Sequence, residues 1–311
     1  MLPKLPLRTD ETRFHNLPGY PFQPHYLNVI HPAYQPLRMH YVDEGRATDP
    51  VVLLLHGCPT WSYLYRKVIS ALSGKSLRII APDFIGCGKS DKLLARTDYS
   101  YDFYVDCLRQ FVLQLDLQNI TLVCQDWGGP IGLRVLSNMP ERFARVIATN
   151  TLLPNCEAPP RGIANWPGDI IKQWVQFTAQ AQDIPIGKIV QGSCTRKLDD
   201  AVQAAYDVPF PDARYKQGML VWPSLIPITA TMPGIIENRR AWKFLEQSNI
   251  PFITAFSDHD PTTAAWEKVF QTRVRGAQGQ AHQRINNAGH MVQEDNADDL
   301  ARIILQRCIT H

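Results

Sequence analysis

The stretch ITLVCQDWGGPIGLRVL, residues 120–136, decides the fold. Its first half is a short aliphatic and β-branched run typical of a buried strand, and its second half has the pattern of an amphipathic helix. A strand that turns directly into a helix must bend sharply, and small residues two positions before and after the apex permit that bend. Cys124 and Gly128 stand at those positions around Asp126. The stretch therefore predicts a tight strand–turn–helix with a carboxylate at its apex.

The same alternation of short apolar strands and longer helical patterns runs along most of the chain. It predicts an α/β fold with a mainly parallel central sheet flanked by helices. The first two strands, Met39–Asp43 and Val51–Leu55, are interpreted as an antiparallel hairpin at the sheet edge. The further predicted strands are Arg78–Ala81, Ile120–Cys124, Arg145–Thr149, Pro251–Phe256 and His282–Asn286.

Between residues 154 and 232 the strand pattern stops, and prolines and tryptophans occur among helical stretches such as Ile170–Gln182. We interpret residues 154–232 as a helical cap inserted into a core of residues 1–153 and 233–311. Such a cap is expected over the carboxyl ends of the strands, where open α/β sheets place their sites.

Composition excludes several classes of protein. The 311 residues are 45% hydrophobic and 20% charged, with a formal net charge of +3, which indicates neither a nucleic acid nor a membrane as partner. Seven widely spaced cysteines are typical of reduced thiols in a cytoplasmic protein. No HExxH or dinucleotide fingerprint occurs in the sequence, so neither a metal nor a cofactor is expected. We expect a monomer.

The candidate catalytic residues follow in the order nucleophile, acid and base. Asp126 is the candidate nucleophile, although an aspartate before a helix also serves as an N-cap. Asp260 follows a predicted strand and is the candidate acid, with Asp258 as a rival. Pro261 favours Asp260 because it closes a turn that fixes the direction of the side chain. His290, in a glycine-containing loop after the next strand, is the candidate base.

An upstream strand ends in His56-Gly57-Cys58-Pro59. Gly57 allows the Cys58 N–H to turn toward the site, where it is expected to form an oxyanion hole with the N–H of Trp127. His56 is interpreted as a structural histidine. Asp83 is placed in a structural turn, since its glycine spacing fails the phosphate-loop pattern.

A carboxylate at the apex favours displacement at saturated carbon, which forms an alkyl ester on Asp126. Water activated by His290 then releases an alcohol. If the leaving group is a halide, indole N–H groups suit it because they only donate hydrogen bonds. Trp127 is the first candidate donor, and a cap tryptophan is the second.

The chain resembles the haloalkane dehalogenases of the α/β-hydrolase superfamily, especially the subgroup whose second halide-binding tryptophan lies in the cap. The likeness rests on HGCPTWSYLYRK (56–67), VCQDWGGPIGLR (123–134), VPFPDARYKQG (208–218), TAFSDHDP (254–261) and NAGHMVQED (287–295). It implies Asp126 as nucleophile, Asp260 as acid, His290 as base and Trp127 as a halide ligand. The segment IKQWVQF (171–177) points to Trp174 rather than Trp166 as the second halide ligand.

One position departs from the family pattern. The residue after His-Gly is usually glutamate in this subgroup, and here it is Cys58. Its N–H still serves an oxyanion hole, but its side chain cannot accept a hydrogen bond from water as a carboxylate does. This departure predicts slower hydrolysis of the alkyl-enzyme or a shifted pH profile.

Two other functions stay open at this point. An epoxide hydrolase shares the aspartate nucleophile but needs acidic lid groups, for which Tyr206 and Tyr215 are the candidates. A small-ligand receptor that retains the scaffold without turnover is the other alternative.

Overall fold

The computed structural model describes residues 2–157 and 168–309. Within these ranges one eight-stranded sheet has the order β1-β2-β4-β3-β5-β6-β7-β8. The strands are β1 His25–Val29, β2 Leu37–Glu44, β3 Val51–Leu55, β4 Arg78–Pro82, β5 Ile120–Asp126, β6 Phe143–Thr151, β7 Phe252–Ser257 and β8 Gln283–Ile285. The first two pairings, β1 with β2 and β2 with β4, are antiparallel, and the rest are parallel.

Helices flank the sheet. They are α1 Arg66–Leu72, α2 Tyr101–Gln114, α3 Gly128–Asn138, α4 Asp169–Gln180, α5 Ile186–Gly192, α6 Asp200–Asp207, α7 Gln217–Val221, α8 Ile235–Leu245, α9 Ala264–Arg273, α10 Val292–Asp295 and α11 Ala297–Ile309. The predicted α/β fold with a mainly parallel sheet is confirmed.

The central strands are buried on both faces, as their unbroken apolar runs require. Residues Val51–Leu55 of β3 are all buried, and so are the first six residues of β5. These strands fix the positions at which the chain emerges at the carboxyl edge of the sheet.

The predicted edge hairpin is wrong. The strand β4 lies between β2 and β3, so Tyr41–Glu44 of β2 pairs with β4, and β3 pairs with β4 and β5. Strand β1 was not predicted, because His25–Val29 is mostly exposed or half-buried and lacks an apolar run. The sheet edge is therefore the antiparallel pair β1–β2.

Between β6 and β7 the described chain is helical, with α4 to α7 followed by α8. Helix α4 carries Trp174 and ends near Arg96, whose guanidinium donates to the Thr178 and Ala179 carbonyl oxygens. This contact ties the inserted segment to the core. No helix within the described ranges is both long and apolar enough to cross a membrane. The cytoplasmic location stays a prediction.

Candidate active site

Asp126 ends β5 at the predicted turn. Its φ of +48° lies in the left-handed region, which a non-glycine residue adopts only at a cost in free energy. Two contacts offset this strain. The Cys58 N–H donates to Asp126 Oδ1 at 2.8 Å, and the Thr151 hydroxyl donates to the Asp126 carbonyl oxygen at 2.6 Å. One hydrogen bond thus holds the carboxylate of Asp126, and another holds its backbone.

Close packing at the turn requires glycine at two positions. A Cβ on Gly57 would lie 2.2 Å from Asp126 Oδ1, and one on Gly128 would lie 2.4 Å from the Leu55 carbonyl oxygen. Any side chain at either position would displace the carboxylate or the neighbouring strand. Of the predicted small-residue pattern, Gly128 is therefore a steric requirement of this turn.

Asp260 follows β7 and His290 follows β8, and both approach Asp126 from the carboxyl edge of the sheet. His290 Nδ1 lies 3.1 Å from Asp260 Oδ1, and His290 Nε2 lies 3.4 Å from Asp126 Oδ2. The backbone N–H groups of Thr262 and Thr263 donate to Asp260 at 2.8 and 3.1 Å, and the Thr263 hydroxyl donates to it as well. The imidazole therefore bridges two carboxylates.

Burial and charge act in opposite directions on this histidine. Burial disfavours the charged ring, but the carboxylates of Asp260 and Asp126 outweigh it and raise the pKa of His290 to about 10. Burial also opposes the charge of Asp260, and His290 and Thr263 outweigh it and lower the pKa of Asp260 to about 2. At neutral pH His290 is an imidazolium and Asp260 is a carboxylate.

A cavity of about 170 Å³ opens above Asp126 and His290. Its remaining walls are mostly apolar, and they come mainly from the inserted segment and from the loops after β3, β7 and β8. They are Cys58, Pro59, Ile170, Ile171, Trp174, Ile189, Ser193, Thr262 and Met291. The cavity suits a small apolar molecule that presents one reactive carbon to a carboxylate.

Trp127 and Trp174 line one smaller adjoining cavity of about 30 Å³, together with Asp126. Trp127 is 3% exposed, and Trp174 on α4 is half-buried. The two candidate halide ligands therefore face a shared space beside the carboxylate. Trp166, the alternative cap tryptophan, lies outside the described residues.

The second predicted oxyanion donor differs from the first. Among the described residues no hydrogen bond joins the Trp127 N–H to Asp126, whereas the Cys58 N–H makes one. Trp127 is the residue before α3, so its N–H lies next to the amino end of that helix. Its role as a donor stays a prediction.

Asp258, the rival acid, and His56 make structural contacts. Asp258 accepts from the Asn287 and Ala288 N–H groups and pairs with His259. Its contacts stabilise the loop that carries His290 and leave the imidazole to Asp260. His56 Nε2 accepts from the Phe84 N–H at 3.1 Å, as a structural histidine does.

The tyrosines needed for epoxide opening do not face Asp126. The Tyr206 hydroxyl donates to Glu294 Oε1 at 2.6 Å, and its ring is fully buried. Among the described residues that line the two cavities beside Asp126, neither Tyr206 nor Tyr215 occurs. This placement disfavours protonation of an epoxide oxygen by either residue.

Sequence reasoning missed the residues that hold the catalytic loop. Asn150 Nδ2 donates to the carbonyl oxygens of Gly289 and His290 at 2.9 and 3.0 Å. Asn150 and Thr151 end β6 at the same edge of the sheet as Asp126. No local pattern marks these residues, because the bonds of Asn150 join segments that are far apart in the sequence.

Comparisons with known proteins identify the fold and the family. Residues 50–297 match the family model for the alpha/beta hydrolase fold. The chain is 46% identical to a haloalkane dehalogenase of Psychrobacter cryohalolentis, over 96% of this chain and 97% of the relative. It is 41% identical to a haloalkane dehalogenase of Mycolicibacterium paratuberculosis over the same shares.

A solved structure supports the same assignment. Haloalkane dehalogenase DpaA from Paraglaciecola agarilytica NO2 superposes with a TM-score of 0.84 at 33% identity, covering 98% of this chain and 97% of that one. That structure is described as tetrameric, which does not fit the monomer expected from the sequence. Family model, relatives and fold agree over nearly the whole length, and the chain belongs to the haloalkane dehalogenase family of α/β-hydrolase-fold proteins.

Proposed function

We propose that this chain hydrolyses carbon–halogen bonds of haloalkanes to a primary alcohol, a halide ion and a proton. The observation that carries the proposal is the carboxylate at the strained turn, backed by His290 and open to an apolar cavity with two tryptophans. A carboxylate can attack saturated carbon, and the apolar walls favour an uncharged substrate. The names of the relatives support the same reaction.

In the first step an oxygen of Asp126 forms a bond to the halogen-bearing carbon while the carbon–halogen bond breaks. The electron pair of that bond leaves with the halide, and Asp126 becomes an alkyl ester. The indole N–H groups of Trp127 and Trp174 stabilise the halide, since their cavity adjoins the carboxylate. The Cys58 N–H, already bonded to Asp126 Oδ1, fixes the attacking carboxylate.

In the second step water attacks the carbonyl carbon of the ester, and His290 takes its proton. The negative charge of Asp126 is one cause of the raised pKa of His290, and ester formation removes that charge. The pKa of His290 consequently falls when the neutral imidazole is needed. Asp260 holds the ring by Nδ1 and stabilises the imidazolium that forms. The bond to the alkoxy oxygen then breaks, and that oxygen takes the second hydrogen of the water and leaves as the alcohol, which regenerates the Asp126 carboxylate beside a protonated His290. The proton of the overall reaction is the one that His290 loses to solvent when ester formation lowers its pKa.

We assign residues 154–232 as the cap and residues 1–153 and 233–311 as the core. Ile170, Ile171, Trp174 and Ile189 support this division, because they come from the inserted segment and line the cavity above Asp126. The cap thereby supplies the apolar walls of the site, and the core supplies the reacting groups.

Oxygen isotopes test the proposal directly. With excess enzyme in H₂¹⁸O, one turnover of 1-bromobutane should give an alcohol that carries unlabelled oxygen from Asp126. Over many turnovers, the peptide that contains Asp126 should gain ¹⁸O, whereas the peptide that contains Asp260 should not. Labelled alcohol in the first turnover would exclude the ester mechanism.

Replacing the nucleophile provides the second test. Asp126→Asn should lower bromide release by about a thousandfold or more, since an amide is a poor nucleophile. Intact-mass analysis should find no alkyl adduct on this variant. An unchanged rate would place the nucleophile elsewhere.

A further inference from the structure

The second step of the proposed reaction needs a water molecule that is held in one orientation. A water has two hydrogens, and only one points to His290 Nε2 when that atom acts as base. The other hydrogen needs an acceptor near Asp126, or the water rotates out of line with the ester carbon. The need for such an acceptor rests on the proposed function.

The side chain of Cys58 does not provide the acceptor. Its Sγ–H donates to the Met219 carbonyl oxygen at 3.7 Å, and a thiol sulfur is only a weak acceptor. Its backbone N–H is already bonded to Asp126 Oδ1. Cys58 therefore stabilises the carboxylate but does not orient water.

Gln125 is a polar side chain that contacts both the ring and the backbone of the base. It is fully buried on β5, directly before Asp126, and its Nε2 donates to the His290 carbonyl oxygen at 3.3 Å. That bond fixes the amide orientation, because the opposite orientation would bring two carbonyl oxygens together. The same nitrogen lies 3.2 Å from His290 Nε2, so the amide is directly beside the base.

The other end of this amide has no partner. Gln125 Oε1 is buried and makes no hydrogen bond with the part of the chain that the structure describes. Buried amide oxygens in folded proteins are normally bonded to protein or to ordered water. The oxygen and nitrogen of an amide are about 2.3 Å apart, so Oε1 lies within about 5.5 Å of His290 Nε2. A water molecule beside the amide nitrogen can bond to both atoms at about 2.8 Å when they are about 4 to 5 Å apart, which lies within this limit.

We propose that Gln125 orients the hydrolytic water, with its Oε1 accepting one hydrogen of the water while His290 removes the other. The amide is placed for this task by its position on β5, which sets it next to the nucleophile, and by its bond to the His290 carbonyl oxygen. The alkylation step does not involve this water. Loss of the amide oxygen should therefore slow ester hydrolysis and spare ester formation.

Rapid-quench measurements on the full chain with 1-bromobutane separate the two steps. Wild type should release bromide in a burst, with an alkyl adduct detected by intact mass. In Gln125→Leu the burst rate should stay within about threefold of wild type, while decay of the adduct slows at least tenfold. Gln293→Leu removes another fully buried glutamine amide and is the matched control. It should not slow decay of the adduct selectively.

Gln125→Glu keeps an oxygen acceptor and adds a charge. That charge favours the protonated ring, so hydrolysis in this variant should recover only at higher pH than in wild type. This variant provides a separate test if Gln125→Leu fails to fold. A wild-type pH profile in Gln125→Glu would overturn the inference.

The remaining outcomes separate the inference from the proposed function. Absence of both burst and adduct in wild type would contradict the proposed function itself. A burst with unchanged adduct decay in Gln125→Leu would overturn only the role of Gln125. An equal slowing of both steps would also overturn it, because a structural defect would explain that result.

Discussion

Two buried aspartate–histidine pairs occur among the described residues, and only one of these two adjoins a cavity with a nucleophile. His40 on β2 lies 2.8 Å from Asp83, and His290 lies 3.1 Å from Asp260. In the first pair burial dominates and lowers the pKa of His40, so this ring is neutral at pH 7. In the second pair the carboxylates dominate and raise the pKa of His290 to about 10.

The difference arises from the second nitrogen of each ring. His290 Nε2 faces a second carboxylate, that of Asp126, beside the cavity. His40 Nε2 is buried and has no hydrogen-bond partner within the described ranges. Asp83 instead accepts from the Ser62 and Lys89 N–H groups and stabilises two loops. The His40–Asp83 pair shows that an aspartate–histidine pair alone is a structural element. The His290–Asp260 pair becomes a candidate catalytic site because a nucleophile and a cavity for substrate lie beside it.

The largest expected effect follows removal of the base. His290→Gln should lower steady-state bromide release by about ten-thousandfold, since no group remains to activate water. The first step should survive, because Asp126 and the tryptophans are unchanged. Rapid-quench analysis should show one equivalent of bromide per site and a stable alkyl adduct.

His40→Gln provides the contrast for that variant. It should turn over haloalkane at a rate within about threefold of wild type at low temperature, because His40 touches none of the reacting groups. A stable adduct in His40→Gln, or none in His290→Gln, would contradict the distinction between the two pairs.

Removing the acid should have the next largest effect. Asp260→Asn should lower the steady-state rate by about a thousandfold, since the imidazole loses the partner that orients it and stabilises its charge. The pKa of His290 should fall, because Asp260 is the largest of the groups that raise it. In the wild-type free enzyme the ring stays charged up to about pH 10, and in the variant it should lose its proton at lower pH.

NMR titration of His290 measures this shift. The raised pKa of His290 in the wild type also affects stability. The stabilisation from the charged ring is fully present below the ordinary histidine pKa of 6.5 and is lost as pH rises through about 10. Asp260→Asn should reduce that loss, and an unchanged pH dependence of unfolding would show that another group is responsible.

A smaller effect is expected in the cap. Trp174→Phe removes an indole N–H and keeps an aromatic ring, so bromide should bind about tenfold more weakly, or about 1.4 kcal/mol. Quenching of tryptophan fluorescence by bromide measures the affinity. Trp61→Phe is the matched control, since Trp61 is fully buried and lines neither cavity. Weaker binding in Trp166→Phe instead would transfer the role to that residue.

Some parts of the site could be predicted from the sequence alone. The turn at Asp126 was predictable because its strain and close packing demand small residues at fixed spacing. Asp260 and His290 were predictable because parallel strands bring their carboxyl ends to one edge of the sheet. Local pattern and topology suffice for such residues.

Other features depend on contacts between distant segments. Asn150 reaches the loop of His290 through a side-chain hydrogen bond that no local pattern encodes. The insertion of β4 between β2 and β3 is likewise a matter of pairing, which apolar runs do not specify. The free oxygen of Gln125 emerges only when its neighbours are known.

The smallest effect on activity, with the largest on stability, is expected at the structural pair. Asp83→Asn should change the turnover rate by less than about twofold but lower the free energy of unfolding by about 3 kcal/mol, because buried N–H groups lose a charged acceptor.

The effect of Asp83→Asn should depend on pH. Burial opposes the charge of Asp83, but its buried partners, His40 first, outweigh burial and lower the pKa of Asp83 from 3.8. The stabilisation is therefore present above pH 3.8 and is lost as the pH falls further. Denaturant unfolding should show the two proteins differing most near neutral pH and converging in acid. If Asp83→Asn abolished turnover while the protein stayed folded, this pair would belong to the catalytic machinery after all.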